Sequence, residues 1–199
     1  MEDDPTGGDQ SRGPGGPLRT VLRPLVRWLR RVAQRVAHPW RRKRAIELLH
    51  RLRPVRSVVF ICLGNICRSP YAAAVLATAE PHLEIRSAGL LRGGRACPPE
   101  AIEAAGRLGP AMTRHVSRRA DAEGLRDVDL VVVMDPRQRE ALLERGLAHP
   151  DRILVLGDLD PDDSGSRTIT DPYGADLALF NKVYHRIDRC LEVLRAQLA

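Results

Sequence analysis

The chain has 199 residues, 43% of them hydrophobic and 29% charged, a length that fits one globular domain or one domain with an appendage. Its formal net charge of +7 is unevenly distributed, because residues 1–56 hold 14 basic and 5 acidic side chains whereas residues 57–199 hold 18 and 20. The lack of an apolar run of ~18–20 residues excludes an integral membrane protein, and the acidic, polar start is unlike a secretory signal and predicts a cytoplasmic protein.

The basic N-terminal extension, residues 1–56, is predicted to be partly disordered and partly helical. Residues 5–17 are rich in glycine and proline and are predicted to be disordered. Over residues 18–37 apolar side chains recur every three or four positions and arginines occupy the other face, which predicts an amphipathic helix. We expect this helix to begin near Pro24, because proline is tolerated best in the first turn.

A second, short helix is predicted over residues 45–53, after Pro39 and a cluster of basic residues. The density of arginine, together with Trp28 and Trp40, predicts that the extension binds an anionic membrane surface, at the inner face of the membrane. Nucleic acid is the less favoured partner, although arginines neutralise its phosphates equally well. A misplaced start codon is a third interpretation of the extension.

Strands alternate with helices from residue 57 onward. Short segments that are apolar and β-branched, or that alternate in polarity, are predicted as strands at residues 58–61, 82–87, 128–134 and 152–156. Helices are predicted at residues 69–79, 100–108, 136–145 and 175–198. This alternation predicts an α/β fold, with a parallel sheet and helices on both faces.

The first strand leads into a loop with the sequence Cys62-Leu63-Gly64-Asn65-Ile66-Cys67-Arg68-Ser69-Pro70. Ligands of open α/β sheets bind at the carboxyl ends of strands, and the N–H groups of the following helix favour an anion such as phosphate. Arg68 can hold two phosphate oxygens with its planar guanidinium. Gly64 permits a backbone conformation that is closed to other residues. Asn65 is the next most tolerant of such conformations, and its amide can tie the loop together.

Cys62 is the candidate nucleophile. A helix N-terminus and an arginine stabilise a thiolate over a thiol, so Cys62 is predicted to react at neutral pH without a separate base. The Ser69 hydroxyl can donate a hydrogen bond to the sulfur. A cysteine that ends a strand is more often a small buried hydrophobe, but nine residues of fitting type and spacing favour the site. A nucleotide phosphate loop is excluded, because no Gly-Lys-Ser/Thr follows.

The motif CLGNICRSP resembles the signature of the low-molecular-weight protein tyrosine phosphatases, and the likeness extends over residues 57–199. The resemblance implies a four-stranded parallel sheet in a doubly wound, phosphotyrosine phosphatase I-like fold. It implies that a cysteinyl-phosphate forms on Cys62 and that Arg68 binds the phosphoryl group that is transferred. It implies neither a metal nor another cofactor. Phosphotyrosine proteins and a tyrosine kinase system are the implied partners. The implied substrate-binding residues of the loop are Leu63, Gly64, Asn65, Ile66, Cys67 and Ser69.

The family's general acid lies in a late Asp-Pro-aromatic sequence, which Asp171, Pro172 and Tyr173 match. Asp171 would protonate the leaving oxygen and then take a proton from water, a role worth typically ~10²–10⁴-fold in rate. On composition alone, the segment is equally a turn before the last helix. Nearby carboxylates are predicted to form a solvated charged run: Asp158, Asp160, Asp162 and Asp163.

Supporting roles are implied for three further residues. In the family, the residues that correspond to Ser87 and His115 help to fix the loop asparagine, whereas His115 taken alone is typical of a surface histidine. Cys67 is the family's second loop cysteine. A disulfide between Cys67 and Cys62 would protect the nucleophile from overoxidation, and plain packing of Cys67 is the alternative.

The chain departs from the family after Ser87. In familiar members, a tryptophan or tyrosine in this segment packs against the phenyl ring of the substrate. Residues 88–95 contain neither, so Tyr173 is the one aromatic residue that remains to pack against the ring. Ile66 favours aryl phosphate over guanidino phosphate as the substrate, because the family's arginine-phosphate enzymes have a similar loop with threonine in place of this isoleucine.

Two rival functions are open at this point. An arsenate reductase of the same fold needs further thiols after the third strand, and residues 98–189 contain no cysteine. A non-catalytic module that binds phosphorylated ligands or membranes is disfavoured, because every residue that the chemistry needs is present.

Overall fold

The computed structural model describes residues 17–162 and 166–198, and its centre is a parallel sheet of four strands in the order β2-β1-β3-β4. The residues of β1, β3 and β4 are all buried, which suits strands covered on both faces. The predicted α/β fold with a parallel sheet is confirmed. The strands are β1 (Ser57–Cys62), β2 (Glu84–Gly89), β3 (Leu130–Val133) and β4 (Ile153–Val155).

The α-helices of the described residues are α1 (Pro17–Leu52), α2 (Arg68–Ala79), α3 (Pro99–Ala104), α4 (Gly109–Arg114), α5 (Ala122–Leu125), α6 (Pro136–Glu144) and α7 (Leu177–Leu198). Short 3₁₀ helices cover Gly106–Leu108, Pro150–Arg152 and Leu156–Leu159. The sequence prediction misses α4 and α5, because segments of six and four residues are too short to show a helical period.

The helices cover both faces of the sheet, as predicted. On one face Phe60 and Val132 pack with α2, α7 and the end of α1, and on the other face Ile61 and Val131 pack with α5 and α6. Successive side chains of a strand point to opposite faces. For that reason the neighbours Phe60 and Ile61 lie in different clusters, and the loop after β1 is supported from both sides of the sheet.

The N-terminal helix differs from its prediction. α1 is one continuous helix rather than two, and it begins at Pro17 rather than near Pro24. Pro17 occupies the first helical position, where the missing N–H is harmless. Pro24 and Pro39 each remove a single backbone hydrogen bond from a helix of 36 residues, which the rest of the helix tolerates.

The last turns of α1 belong to the main core. Ala45, Leu48 and Leu49 are buried there, and the Arg53 guanidinium donates hydrogen bonds of 2.9 and 2.6 Å to the carbonyl of Gln197 in α7. Tertiary packing of this kind stabilises a helix beyond its intrinsic propensity.

Disorder is predicted for residues 5–17, and residues 5–16 of that segment lie outside the described residues. Within the described ranges, no helix has the length and apolar character needed to cross a membrane.

Candidate active site

Cys62 ends β1 at the carboxyl edge of the sheet, and α2 begins at Arg68. The Cys62 side chain is 2% exposed, and its Sγ accepts hydrogen bonds from the Asn65 N–H at 3.1 Å and from the Ser69 hydroxyl at 3.0 Å. Two donors of the loop and of the first turn of α2 thus converge on this sulfur. The predicted hydrogen bond from Ser69 is therefore present, and the sulfur faces polar groups of the loop.

Asn65 holds the loop together from its centre. Its backbone lies in the left-handed region, with φ 53°, which asparagine tolerates better than most residues. Its Nδ2 donates to the hydroxyls of Ser69 and Ser87, both at 2.9 Å, and its Oδ1 accepts from the Arg118 N–H at 2.9 Å. The contact with Ser87 is the one that the family resemblance implies.

The glycine that this loop requires is Gly89 rather than Gly64. Gly64 does not use the backbone conformation that glycine permits, because its φ is not positive and an added Cβ would meet Ile66 at an ordinary 3.5 Å. A Cβ on Gly89 would lie 2.9 Å from the Asn65 Cβ and 3.0 Å from the Leu63 carbonyl oxygen. The end of β2 therefore approaches the loop closely because residue 89 lacks a side chain.

His115 contacts the same loop from the end of α4. It is half-buried, and its Nε2 lies 2.8 Å from the Asn65 carbonyl oxygen. Burial lowers the pKa of His115, against the opposing effect of the hydrogen bond to Asn65, and the charge of Arg118 lowers this pKa further. The folded state therefore favours the neutral ring, with its Nε2–H directed at the loop.

This shift predicts a pH-dependent stability. Because the pKa of His115 is lower in the folded state, its contribution to stability is complete above the unfolded value of about 6.5 and is lost as the pH falls below it. We expect His115→Gln, which keeps an N–H donor, to lose less stability than the wild type between pH 7 and pH 5. Urea unfolding at both pH values measures this, and identical losses for the two proteins would contradict it.

Arg68 links the loop to Asp171. The Arg68 side chain is 3% exposed; its Nη1 donates to the Ile169 carbonyl at 3.1 Å and its Nη2 to Asp171 Oδ2 at 2.5 Å. Its Nε is buried and has no hydrogen-bond partner among the described residues. Asp171, at 41% exposure, lies in residues 166–174, which we call the acid loop. Asp171 is thus held against Arg68, which directly precedes the Ser69 that donates to the Cys62 sulfur, and Cys67 lies within electrostatic range of Cys62, Arg68 and Asp171.

Tyr173 and a missed residue, Arg95, form part of the mouth of the site. The Arg95 guanidinium lies 5.4 Å from the centre of the Tyr173 ring, as in a cation–π contact. Leu63, Leu91 and Tyr173 are exposed large apolar side chains. The sequence gives no signal for Arg95, because its partner Tyr173 lies 78 positions away in the chain.

Cys67 lies in the same loop but differs from Cys62 in its surroundings. Burial raises the pKa of the Cys67 thiol, and the charge of Asp171 raises it further. Burial also raises the pKa of Cys97, to about 11. Both side chains are therefore neutral thiols at neutral pH. Cys62 and Cys67 are free in this structure, so the disulfide between them stays a prediction.

The predicted solvated run of carboxylates is wrong for Asp158 and Asp160. Both side chains are buried and paired with arginines from distant parts of the chain. Local composition cannot show such pairs, because they depend on how the acid loop and α7 pack. Asp162 is exposed, as predicted, and Asp163 lies outside the described residues. Among the described residues, no group of three or more His, Cys, Asp and Glu is arranged to hold a metal ion.

Known proteins of one family are similar to this chain. The sequence model of the family described as low molecular weight phosphotyrosine protein phosphatase matches residues 57–199. The low molecular weight protein-tyrosine-phosphatase Wzb of Escherichia coli is 31% identical over 134 residues, which cover 67% of this chain and 88% of Wzb. The extension, residues 1–56, lies outside the family match.

Solved structures give the same picture. The crystal structure of the Erwinia amylovora tyrosine phosphatase AmsI matches with a TM-score of 0.64 and 28% identity, covering 71% of this chain and 93% of AmsI. The YwlE arginine phosphatase matches with a TM-score of 0.63 and 26% identity, covering 71% of this chain and 95% of YwlE. These relatives share the fold but, by their names, differ in the phosphorylated residue on which they act.

Proposed function

The chain belongs to the low molecular weight phosphotyrosine protein phosphatase family and is a phosphatase, and we propose that Cys62, Arg68 and Asp171 hydrolyse phosphotyrosine on proteins through a cysteinyl-phosphate. The observation that supports these roles most is the arrangement around the loop, with two donors on the Cys62 sulfur and a 2.5 Å contact between Asp171 and Arg68 at the start of α2. An arsenate reductase is not favoured, because the relatives are phosphatases.

In the first step the Cys62 thiolate attacks phosphorus, and the bond from phosphorus to the ester oxygen breaks. Arg68 binds two equatorial oxygens through Nε and Nη2, the edge of the guanidinium that suits a bidentate contact. The bound dianion replaces the Asp171 carboxylate on Nη2, and this step uses Asp171 in its protonated form. Asp171 then donates its proton to the leaving oxygen, and the phenol departs.

In the second step water attacks the phosphorus of the cysteinyl-phosphate, and Asp171 takes up the proton from that water. The bond between sulfur and phosphorus breaks, and Cys62 leaves as a thiolate. The Asn65 N–H and the Ser69 hydroxyl, at 3.1 and 3.0 Å from the sulfur, stabilise this leaving group. Inorganic phosphate is the product. Asp171 now carries the proton taken from water, which it can donate to the next leaving phenol or exchange with solvent.

The mouth supports an aryl ester over a phosphoguanidine. Tyr173, Leu63 and Leu91 offer exposed apolar surface beside the loop, which suits a phenyl ring. Ile66 is buried. The arginine-phosphate enzymes of the family have threonine at this position of an otherwise similar loop, and isoleucine lacks the hydroxyl of that threonine. We therefore assign phosphotyrosine as the substrate and a tyrosine kinase as the partner that produces it.

The role of Asp171 is tested by leaving-group dependence. We expect Asp171→Asn to lower kcat for phenyl phosphate by about 10²-fold, because phenolate is a strong base and needs a proton as it departs. The loss for p-nitrophenyl phosphate is expected to be smaller, since p-nitrophenolate is a weaker base. Steady-state kinetics with both esters measures the difference, and equal slowing of both would remove Asp171 from this role.

Residues 57–199 form the proposed phosphatase domain, and residues 1–56 a membrane-binding extension at the inner face of the membrane. Trp28, Val36 and Trp40 lie on one stripe of α1 and are 59%, 71% and 71% exposed, whereas His38 and Arg41 on its other side contact the domain. The apolar stripe thus faces away from the domain. An apolar stripe on a strongly basic helix suits the interface of an anionic bilayer.

Sedimentation with vesicles tests this proposal. We expect the full chain to sediment with phosphatidylserine-containing vesicles at low salt, and Trp28→Glu/Trp40→Glu to lower the bound fraction about fivefold or more. Val116→Glu is the matched control, because Val116 is an exposed apolar residue of the phosphatase domain. Equal binding by both variants would overturn the proposal, and displacement by RNA without an effect of the tryptophan variant would favour nucleic acid.

A further inference from the structure

Two buried carboxylates, Asp158 and Asp160, lie between α1 and the acid loop. Asp158 is 5% exposed and Asp160 is fully buried. Buried carboxylates are destabilising unless they are paired and hydrogen-bonded, so their partners show which segments they hold in place. The partners come from three segments, namely α1, α7 and the acid loop itself.

Asp158 connects α1 to the first part of the acid loop. Arg167 donates to Asp158 Oδ1 from Nε at 2.8 Å and to Oδ2 from Nη2 at 2.7 Å, a bidentate pair. Arg41 of α1 places its Nε 3.8 Å from the same Oδ1. The backbones also meet closely here, because a Cβ on Gly157 would lie 2.1 Å from the Arg167 carbonyl oxygen.

Asp160 connects α1 and α7 to the same loop. Arg186 of α7 donates from Nε to Asp160 Oδ2 at 2.7 Å, and its Nη1 and Nη2 donate to the carbonyls of Thr168 and Ser166 at 2.7 and 2.5 Å. The Asp160 carbonyl oxygen lies 3.0 Å from Nε2 of His38 in α1. A single guanidinium thus ties a buried carboxylate to the backbone just before Asp171.

We infer that α1 positions the general acid, with His38 and Arg41 acting as positioning residues for Asp171 through Asp158 and Asp160. This inference rests on the proposed role of Asp171. A general acid works only within hydrogen-bond reach of the leaving oxygen, and small displacements of a catalytic group are costly in rate. Because α1 lies outside the residues that match the family, the extension adds this support to a domain that the relatives share.

The experiment measures kcat with phenyl phosphate and with p-nitrophenyl phosphate for the full chain carrying His38→Ala/Arg41→Gln. We expect about a tenfold loss of kcat with phenyl phosphate, about a twofold loss or less with p-nitrophenyl phosphate, and an unchanged KM for both. In the Asp171→Asn background the same pair of substitutions should cause no further loss. Arg44→Gln is the matched control, because Arg44 is an exposed arginine on the same helix.

Different outcomes separate this inference from the proposed function. Equal slowing of both esters, or of neither, by the α1 variant would overturn the inference while leaving the Asp171 assignment intact. A failure of Asp171→Asn to discriminate the esters would instead overturn that assignment. If the double variant does not fold, the single variants Arg41→Gln and Arg41→Lys replace it. Arg41→Lys is expected to have a higher kcat for phenyl phosphate than Arg41→Gln, because it keeps the positive charge. Equal rates for Gln and Lys below the wild type would contradict a charge-dependent role.

Discussion

Cys62→Ser is expected to lower kcat by a factor on the order of 10⁴ or more while the loop still binds phosphate. A serine hydroxyl is far less nucleophilic than a thiolate, and the second step would require a poor alkoxide leaving group. The anion-binding parts are untouched, since Asn65 and Arg68 are held by their own contacts with Ser69, Ser87 and Asp171.

Two measurements check this expectation. Turnover of p-nitrophenyl phosphate reports the chemistry, and the rise in Tm with added inorganic phosphate reports the loop. Cys190→Ala is the matched control, because Cys190 is a buried cysteine of α7, and it is expected to retain activity. Residual turnover by Cys62→Ser within about tenfold of the wild type would contradict a role as nucleophile.

Arg68→Lys is expected to lower kcat/KM by roughly 10³-fold and to weaken inhibition by inorganic phosphate. The Arg68 guanidinium donates from Nη1 to the Ile169 carbonyl and from Nη2 to Asp171, and its edge formed by Nε and Nη2 is the one proposed to bind phosphate. A lysine ammonium is a compact charge without the planar set of donors of a guanidinium. It cannot contact the Ile169 carbonyl, Asp171 and phosphate at the same time. The substitution therefore removes oxyanion binding and also loosens the acid loop.

Arg95→Lys provides the comparison, because Arg95 is an exposed arginine at the mouth that contacts Tyr173. It is expected to change kcat/KM by less than about tenfold. Steady-state kinetics and phosphate competition for both variants give the result. Losses of similar size at the two positions would mean that positive charge near the loop, rather than the geometry of Arg68, supports the reaction.

The parts of the site that are contiguous in sequence could be predicted. Residues 62–69 run from the end of β1 to the first turn of α2, so the contact between the Ser69 hydroxyl and the Cys62 sulfur follows from their spacing. The backbone detail could not be predicted, because both Gly64 and Asn65 tolerate a left-handed conformation, and the contacts of Asn65 with Ser87, Gly89 and Arg118 come from distant parts of the chain. Sequence shows which residues can adopt a conformation, whereas tertiary contacts decide which one does.

Contacts between distant segments account for the other differences. The sequence predicts Asp158 and Asp160 as solvated because acidic runs usually are, but arginines in the acid loop and in α7 pair with them. α1 is continuous across Pro39 because its last turns pack into the core. In each case a local propensity is outweighed by a partner that lies far away in the chain.

The single long α1 has a consequence for where the enzyme can work. Its 36 residues span about 54 Å, and its last turns are fixed in the core while the apolar stripe faces the other way. A phosphatase attached to a bilayer through such a rod has no freely swinging tether. On the proposed membrane contact, the catalytic mouth would be held at a fixed height and tilt, so that the distance of a phosphotyrosine from the lipid would decide whether it can be reached.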